Sequence, residues 1–241
     1  MSIKRQPSNQ KGFTILELMI ATLVFSTVLL GSTTALIQIG KLYYKGVVSN
    51  RTQEVTRGLV DQLGQQLQFS SGVVTTAAPA DYPGSINGAE NGKLKFGVVC
   101  IGTTRYTYAL NVQVYSGTDL ADDTYLPATN QLHHALWRDT LPSNQSCTAV
   151  NLSDAVPSTG GEEMLGENMR LSPDFNVGCD TNNICNVSVS VLYGGNDLME
   201  PEPSNANPMD QRPSHCANIT GSQWCTASQF TTSVFKRIEE K

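Results

Sequence analysis

The sequence has few charged and few aromatic residues. Charged residues make up 15% of the 241 residues, aromatic residues 7% and hydrophobic residues 39%. This composition excludes a highly charged disordered chain and a membrane protein with many spans. The net charge of −5 also argues against a general nucleic-acid binder, because such binding depends on neutralising phosphates with basic residues.

The sequence also lacks the short motifs of common enzyme classes. It contains no HExxH zinc motif, no Walker phosphate-binding motif and no GxGxxG dinucleotide-binding motif. His133 and His134 lie beside Trp137 in a predicted strand, where alternation places the two imidazoles on opposite faces. They cannot easily share one ligand, so we expect surface or core histidines. We predict that the protein is not an enzyme and holds no cofactor.

One long hydrophobic run is present, in residues 13–39, and its single charged residue is Glu17. The run exceeds the roughly 20 helical residues needed to cross a bilayer core. Three basic residues precede it: Lys4, Arg5 and Lys11. The small residue Gly12 separates the basic and apolar parts, whereas an ordinary secretory signal has its cleavage site after the apolar part. Cleavage after Gly12 would leave the apolar helix on the mature chain.

Residues 12–17, Gly-Phe-Thr-Ile-Leu-Glu, resemble the processing and methylation motif of type IV prepilins and type II secretion pseudopilins. The resemblance implies that residues 1–12 are a leader removed by prepilin peptidase. Phe13 would then be the N-methylated amino terminus, and Glu17 the acid that takes part in filament assembly. It further implies a single-pass anchor in the cytoplasmic membrane, with the rest of the chain outside, and later a pilus filament. The implied partners are the peptidase/methyltransferase, the inner-membrane assembly platform and other pilins, which would bind through the N-terminal helix.

Residues 40–70 have an amphipathic helical pattern. Apolar residues recur at spacings of seven and four: Val48, Val55, Leu59, Leu63 and Leu67. Arg57 and Asp61 are placed to pair on another face. We expect the transmembrane helix of residues 13–39 to continue through this segment and to end at Ser70-Ser71-Gly72.

The remainder, residues 71–241, is predicted to be an exported β-rich head. Residues 73–92 read as a loop, and residues 116–129 and 194–213 as long polar loops. The predicted strands are residues 94–101, 105–115, 133–139, 168–177, 185–193 and 230–238. The predicted fold class is α+β, a long helix packed on an antiparallel sheet with long disulfide-stapled loops.

Two segments, residues 51–63 and 231–237, are similar to the larger minor pilins of the PilW and J-type groups. This resemblance implies a minor pilin, a structural subunit that enters or helps to initiate a type IV pilus for adhesion, motility or DNA uptake. Two alternatives stay open. One is a type II secretion pseudopilin, and the other is a pilus-displayed head that binds a surface ligand.

The six cysteines all follow the predicted anchor: Cys100, Cys147, Cys179, Cys185, Cys216 and Cys225. An even number in an exported domain suggests disulfides. Short loops favour Cys179–Cys185 and Cys216–Cys225, leaving Cys100–Cys147, although sequence alone does not decide the connectivity. A zinc site that includes His215 is the rival, but structural zinc sites usually have shorter cysteine spacing.

Four acids lie close together in one polar segment: Asp197, Glu200, Glu202 and Asp210. Oxygen-rich loops can bind calcium, which makes these acids weak calcium candidates. No EF-hand spacing is present, so a solvated acidic loop is the better interpretation and no metal site is predicted.

Overall fold

The computed structural model describes residues 12–70, 72–81, 95–114, 131–142, 145–152, 157, 160–201, 213–218, 221 and 224–237. The chain falls into two compact units, one ending at Tyr43 and the other beginning at Tyr44. The second unit contains every strand described below.

A single long α-helix, α1, runs from Ile15 to Phe69. In its first part the large apolar side chains are exposed, whereas from Val48 onward a stripe of side chains is buried. The buried stripe consists of Val48, Thr52, Thr56, Leu59, Val60, Leu63, Gly64 and Leu67. Thr52 and Thr56 tolerate burial because their hydroxyls donate to carbonyls one turn back, at 2.9 and 2.6 Å. The predicted helix and its amphipathic stripe are confirmed.

Thirteen strands lie within the described part of the chain. In chain order they are β1 (Val74–Asp81), β2 (Lys95–Ile101), β3 (Thr104–Ala109), β4 (Gln113–Val114), β5 (Gln131–Leu132), β6 (Leu136–Thr140), β7 (Glu162–Glu163), β8 (Met169–Leu171), β9 (Asn176–Cys179), β10 (Ile184–Tyr193), β11 (Met199–Pro201), β12 (Pro213–Cys216) and β13 (Thr226–Phe235). A short 3₁₀ helix, Asn196–Leu198, precedes β11.

Two antiparallel sheets form the body of the head. The first has the order β1-β2-β3-β6-β7, and the second has the order β13-β10-β8 with β9 also paired to β10. A parallel bridge between Leu110 and Leu171 connects the two sheets. Two small pairs, β11-β12 and the parallel pair β4-β5, lie outside them. The predicted α+β class is confirmed, with two principal sheets.

The main core lies where α1 meets both sheets. Leu59, Leu63 and Leu67 share one cluster with Tyr106 of β3 and with the inward residues of β10. Those β10 residues are Val187, Val189 and Val191, all fully buried. Each such side chain contributes about 1.5–3 kcal/mol on burial, so the helix stripe and the alternation of β10 supply much of the stability of the head.

A second core lies on the other face of the first sheet. Phe96, Trp137 and Leu152 cluster there, and beside them a bidentate ion pair is buried. Arg105 Nε donates to Asp139 Oδ1 at 2.9 Å, and its Nη2 donates to Oδ2 at 2.5 Å. Arg105 Nη1 also donates to the Thr148 carbonyl at 3.0 Å. The ion pair therefore holds the segment around Cys147 against the sheet.

The predicted loop of residues 73–92 is wrong over its first part, because β1 occupies Val74–Asp81 and pairs with β2. The sequence hides this strand because it consists largely of threonine and alanine and contains Pro79. Proline is tolerated at a sheet edge or a bulge, and the register of β1 shifts between Ala77 and Ala80. The rest of that predicted loop lies outside the described residues.

Four other strand predictions have different bounds. The strand predicted at 230–238 is β13, which begins at Thr226 and ends at Phe235. The segment predicted at 105–115 divides into β3 and β4 because Asn111 adopts a positive φ of 56°, a conformation that ends a strand. The segment at 168–177 divides into β8 and β9 around a turn closed by Phe175 N donating to the Ser172 carbonyl at 3.1 Å. The segment at 133–139 begins only at Leu136, so His133 and His134 precede the strand.

The predicted loop at 194–213 contains β11 and the start of β12. The predicted loop at 116–129 lies outside the described residues.

Candidate assembly site at the amino terminus

Helix α1 begins in a reciprocal cap formed by Thr14 and Glu17. The Glu17 backbone N–H donates to Thr14 Oγ1 at 3.2 Å, and the Thr14 N–H lies 3.4 Å from Glu17 Oε2. The Thr14 hydroxyl is also 3.4 Å from the same carboxylate oxygen. This arrangement is a capping box, in which the two residues satisfy each other's free N–H groups. The carboxylate also lies at the positive end of the helix dipole.

Sequence reasoning identified Glu17 but missed Thr14. The signal was present, because Thr14-Ile15-Leu16-Glu17 matches the T-x-x-E pattern that precedes an apolar helix. Thr14 is therefore the residue that holds the Glu17 carboxylate at the helix start.

Gly12 and Phe13 precede the helix and are exposed, with Phe13 at 79%. A Cβ atom at Gly12 would meet nothing within 4 Å. The described fold therefore gives no steric reason for glycine at this position.

The side chains that follow are apolar and exposed. Among the large hydrophobic residues more than half exposed are Leu16, Leu18, Met19, Ile20, Leu23 and Phe25. The helix is long and apolar enough to cross a membrane, by length and composition. Within residues 13–39 the only charged group is Glu17.

The hydroxyl side chains of this apolar stretch donate to carbonyls of their own helix. The donors are Thr22, Ser26, Thr27, Ser32, Thr33 and Thr34. Such internal bonds satisfy the hydroxyls without water, as a lipid or dry protein environment requires. These hydroxyl groups therefore need no water partner in an apolar environment.

Comparison with family models finds a match to the prokaryotic N-terminal methylation motif over residues 7–33. That range contains Gly12, Phe13, the Thr14–Glu17 cap and most of the apolar run. The amino terminus is type IV prepilin-like. The motif implies processing by prepilin peptidase and assembly with other pilins. Neither the comparison with curated proteins nor that with solved structures gives a match, so the PilW and J-type resemblance stays a prediction.

The part of the chain after the helix carries three disulfides: Cys100–Cys147, Cys179–Cys185 and Cys216–Cys225. The last two are the pairs that short loops favour, and Cys100–Cys147 is the pair that they leave. Because all six cysteines are paired in the structure, none offers a thiolate to zinc.

The four acids proposed as weak calcium candidates are only partly described. Asp197 lies in the 3₁₀ helix, and Glu200 Oε2 is 4.0 Å from His215 Nε2. Glu202 and Asp210 lie outside the described residues. Within the described ranges, no three His, Cys, Asp or Glu side chains form a group that could hold a metal ion.

His134 lies beside a structural carboxylate, Glu163. His134 packs on Trp137 with ring centroids 4.3 Å apart, and its Nδ1 is 3.5 Å from Glu163 Oε2. Glu163 also accepts backbone N–H groups of Ala135, Leu136 and Leu165 at 2.9–3.1 Å. Burial raises the pKa of Glu163, while the hydrogen bonds from His134 and the backbone oppose that rise. These contacts hold the residues at the start of β6 against β7. They give both His134 and Glu163 a structural role.

Proposed function

We propose that the chain is a minor pilin, a structural subunit of a type IV pilus whose role is assembly and not catalysis. The observation that carries the proposal is Glu17, a lone carboxylate in an exposed apolar helix and within the matched methylation motif. A charge within an apolar membrane segment costs about 2.5–3.5 kcal/mol on insertion scales and usually has a function.

Processing supplies the partner for this charge. Cleavage after Gly12 leaves a positive amine on Phe13, and helices that bundle in a dry filament core bury Glu17. A buried carboxylate without a cation keeps its full desolvation penalty. An axial offset of about four residues, roughly 6 Å at 1.5 Å per residue, brings the Phe13 amine of one subunit to Glu17 of the next. The pair then sets the register of the subunits.

The disulfides support a head outside the cytoplasm. Structural disulfides form and persist in oxidising compartments and are rare in the reducing cytoplasm. The pairs Cys100–Cys147, Cys179–Cys185 and Cys216–Cys225 all lie after the apolar segment. A single-pass anchor with residues from Tyr44 onward on the outer side fits both features.

Filament isolation and mass spectrometry test the proposal together. We expect the chain in pili sheared from intact cells, with a first peptide that begins at N-methylated Phe13. A matched control, Gly12→Val, changes a residue for which the described fold shows no steric need and should stay unprocessed in the membrane. Recovery only from a short periplasmic filament would indicate a pseudopilin. A mature terminus beyond residue 30 would contradict the assignment.

A further inference from the structure

Two aromatic side chains, Tyr44 and Trp224, meet at a point that follows the apolar run of α1 closely in sequence. Tyr44 is five residues after Ile39, the last residue of that run, and its ring packs on Trp224 with centroids 4.0 Å apart. Tyr44 is 40% and Trp224 37% exposed, whereas Trp137, the other tryptophan of the chain, is 6% exposed. The ring pair of Tyr44 and Trp224 is therefore not part of the core.

The ring pair has a fixed position in the head. The Trp224 backbone N–H donates to the Gly221 carbonyl at 2.9 Å, and the next residue, Cys225, belongs to a disulfide and is 4% exposed. The side chain of Tyr44 also forms a hydrogen bond with Tyr193. Both rings are therefore held from their own chain neighbours as well as by each other.

Strand β13 runs along the head part of α1, towards the carboxyl end of the helix. A Cβ atom at Gly64 would lie 3.4 Å from Val234 Cγ1, so helix and strand are in close contact. Just after the strand, the Arg237 N–H donates to the Gln68 carbonyl at 3.1 Å. The ring pair lies just before the strand, so it marks the opposite end of this contact, where the head begins.

Chain connectivity keeps the ring pair close to the bilayer when residues 13–39 span it. Five further helical residues advance about 7–8 Å, and the headgroup layer is roughly 5–8 Å thick on each side of a bilayer. Helical Cα–Cβ bonds tilt towards the amino terminus, so the Tyr44 side chain leans towards the membrane. Tryptophan and tyrosine are enriched at this depth because their rings are apolar while their N–H and O–H groups are polar.

The charged residues beside Tyr44 in sequence are basic. Lys41 and Lys45 follow the apolar run, and no acid occurs between Glu17 and Glu54. Basic residues normally mark the cytoplasmic side of a membrane span, so their presence on the outer side calls for another role. Lysine near a membrane surface is attracted to anionic lipid headgroups. Its long apolar stem lets the ammonium of Lys45, which is exposed, reach a lipid phosphate.

We propose that Tyr44, Lys45 and Trp224 bind phospholipid headgroups at the outer surface of the cytoplasmic membrane, with a preference for anionic lipid. The proposal rests on the proposed role in a filament, which places the apolar run in the bilayer and the head outside. The two rings occupy the headgroup layer, and the Lys45 ammonium pairs with a lipid phosphate. Entry into the filament then requires release of these contacts.

Tryptophan fluorescence of the full chain in lipid nanodiscs tests the contact. The discs hold phosphatidylcholine with or without phosphatidylglycerol, and a lipid brominated close to its headgroup quenches tryptophan at short range. Each disc holds one chain, so no neighbouring subunit shields the rings. We expect the brominated lipid to lower the emission by up to half, the share of one of the two tryptophans. The quenching should be stronger with phosphatidylglycerol, and Trp224→Phe should abolish it.

Two variants that each remove one positive charge provide the matched control. Lys45→Gln should remove most of the extra quenching that phosphatidylglycerol causes. Arg57→Gln should leave it unchanged, because Arg57, whose side chain is 76% exposed, lies about 27 Å beyond Ile39 along the helix. Equal effects of the two variants would overturn the proposal, as would quenching that persists in Trp224→Phe.

The elution of the chain separates this proposal from the proposed membrane anchor. A chain that elutes with the nanodiscs but shows no quenching of Trp224 overturns the lipid contact and leaves the anchor intact. A chain that elutes apart from the nanodiscs contradicts the anchor and the lipid contact together.

Discussion

The cap at the start of α1 allows the charge of Glu17 to be tested separately from its hydrogen bonding. Glu17→Gln keeps an oxygen that can accept the Thr14 N–H, which is 3.4 Å from the carboxylate, but removes the negative charge. Thr14→Val keeps the charge but removes the hydroxyl that accepts the Glu17 N–H at 3.2 Å. Glu17→Gln therefore removes the charge, whereas Thr14→Val removes a hydrogen bond of the cap.

The two variants should lower incorporation into filaments by different amounts. Loss of a cap costs about 1 kcal/mol of helix stability, which the continuous helix from Ile15 to Phe69 can absorb. Loss of one partner of a buried ion pair costs about 3–5 kcal/mol because the other charge stays buried alone. At about 1.4 kcal/mol per tenfold change, Glu17→Gln should lower incorporation into filaments by roughly 100-fold or more. Thr14→Val should lower it less than about tenfold.

The assay compares the amount of the full chain in sheared filaments with that in the membrane fraction by quantitative immunoblotting. Mass spectrometry of the first peptide shows that each variant is cleaved and methylated before incorporation is compared. Normal incorporation of Glu17→Gln would refute the charge-pairing role of the carboxylate. An equal defect in both variants would mean that the cap, and not the charge, controls assembly.

Three further predictions concern the head and use urea unfolding of the detergent-solubilised chain. Replacing Cys100 and Cys147 together by alanine should lower the free energy of unfolding by about 4 kcal/mol, as the 47-residue separation of this disulfide implies; a loss under about 1 kcal/mol would contradict the chain-entropy estimate. Asp139→Asn should cost about 3–5 kcal/mol because it leaves the buried guanidinium of Arg105 without its counter-charge, and an unchanged midpoint would argue against that ion pair. Burial raises the pKa of Tyr106 from 10.0 to about 12, so its contribution to stability is complete below pH 10.0 and is lost as the pH rises towards about 12. Over that pH range the Tyr106→Phe variant should therefore lose less free energy of unfolding than the wild type. Identical pH profiles of the two proteins would show that ionisation of the phenol does not control this loss.

Long periodic features were predictable from the sequence. The apolar run of residues 13–39 and the stripe from Val48 to Leu67 predict one long helix, which the structure has. Alternation at Val187, Val189 and Val191 predicts β10, because the inward side of a strand repeats every second residue. The predicted disulfide pairs also agree with the structure, because short loops favour two of them and leave Cys100–Cys147 as the third.

Features that depend on distant residues were not predictable. Strand β1 forms because β2 supplies its hydrogen-bond partners, and its own threonines and alanines carry only a weak strand signal. The strand at 133–139 begins late because Glu163, distant in sequence, accepts the N–H groups of Ala135 and Leu136. The Arg105–Asp139 pair lies on neighbouring strands, so its burial follows from the sheet register and not from a local pattern.

With the proposed topology, the close contact between the last strand and α1 sets a time order for folding during export. The residues nearest the anchor cross the membrane first, so the buried stripe of α1 emerges long before β13, whose last residue is Phe235. Until then β10 lacks its ten-residue partner, and the contacts of Lys236 and Arg237 with Gly72 and Gln68 are absent. A head of this topology completes its core only when almost the whole chain has been translocated. Its folding rate is governed by loop closure over most of its length, and a chain that stops before Thr226 should leave the helix stripe exposed to extracytoplasmic chaperones and proteases.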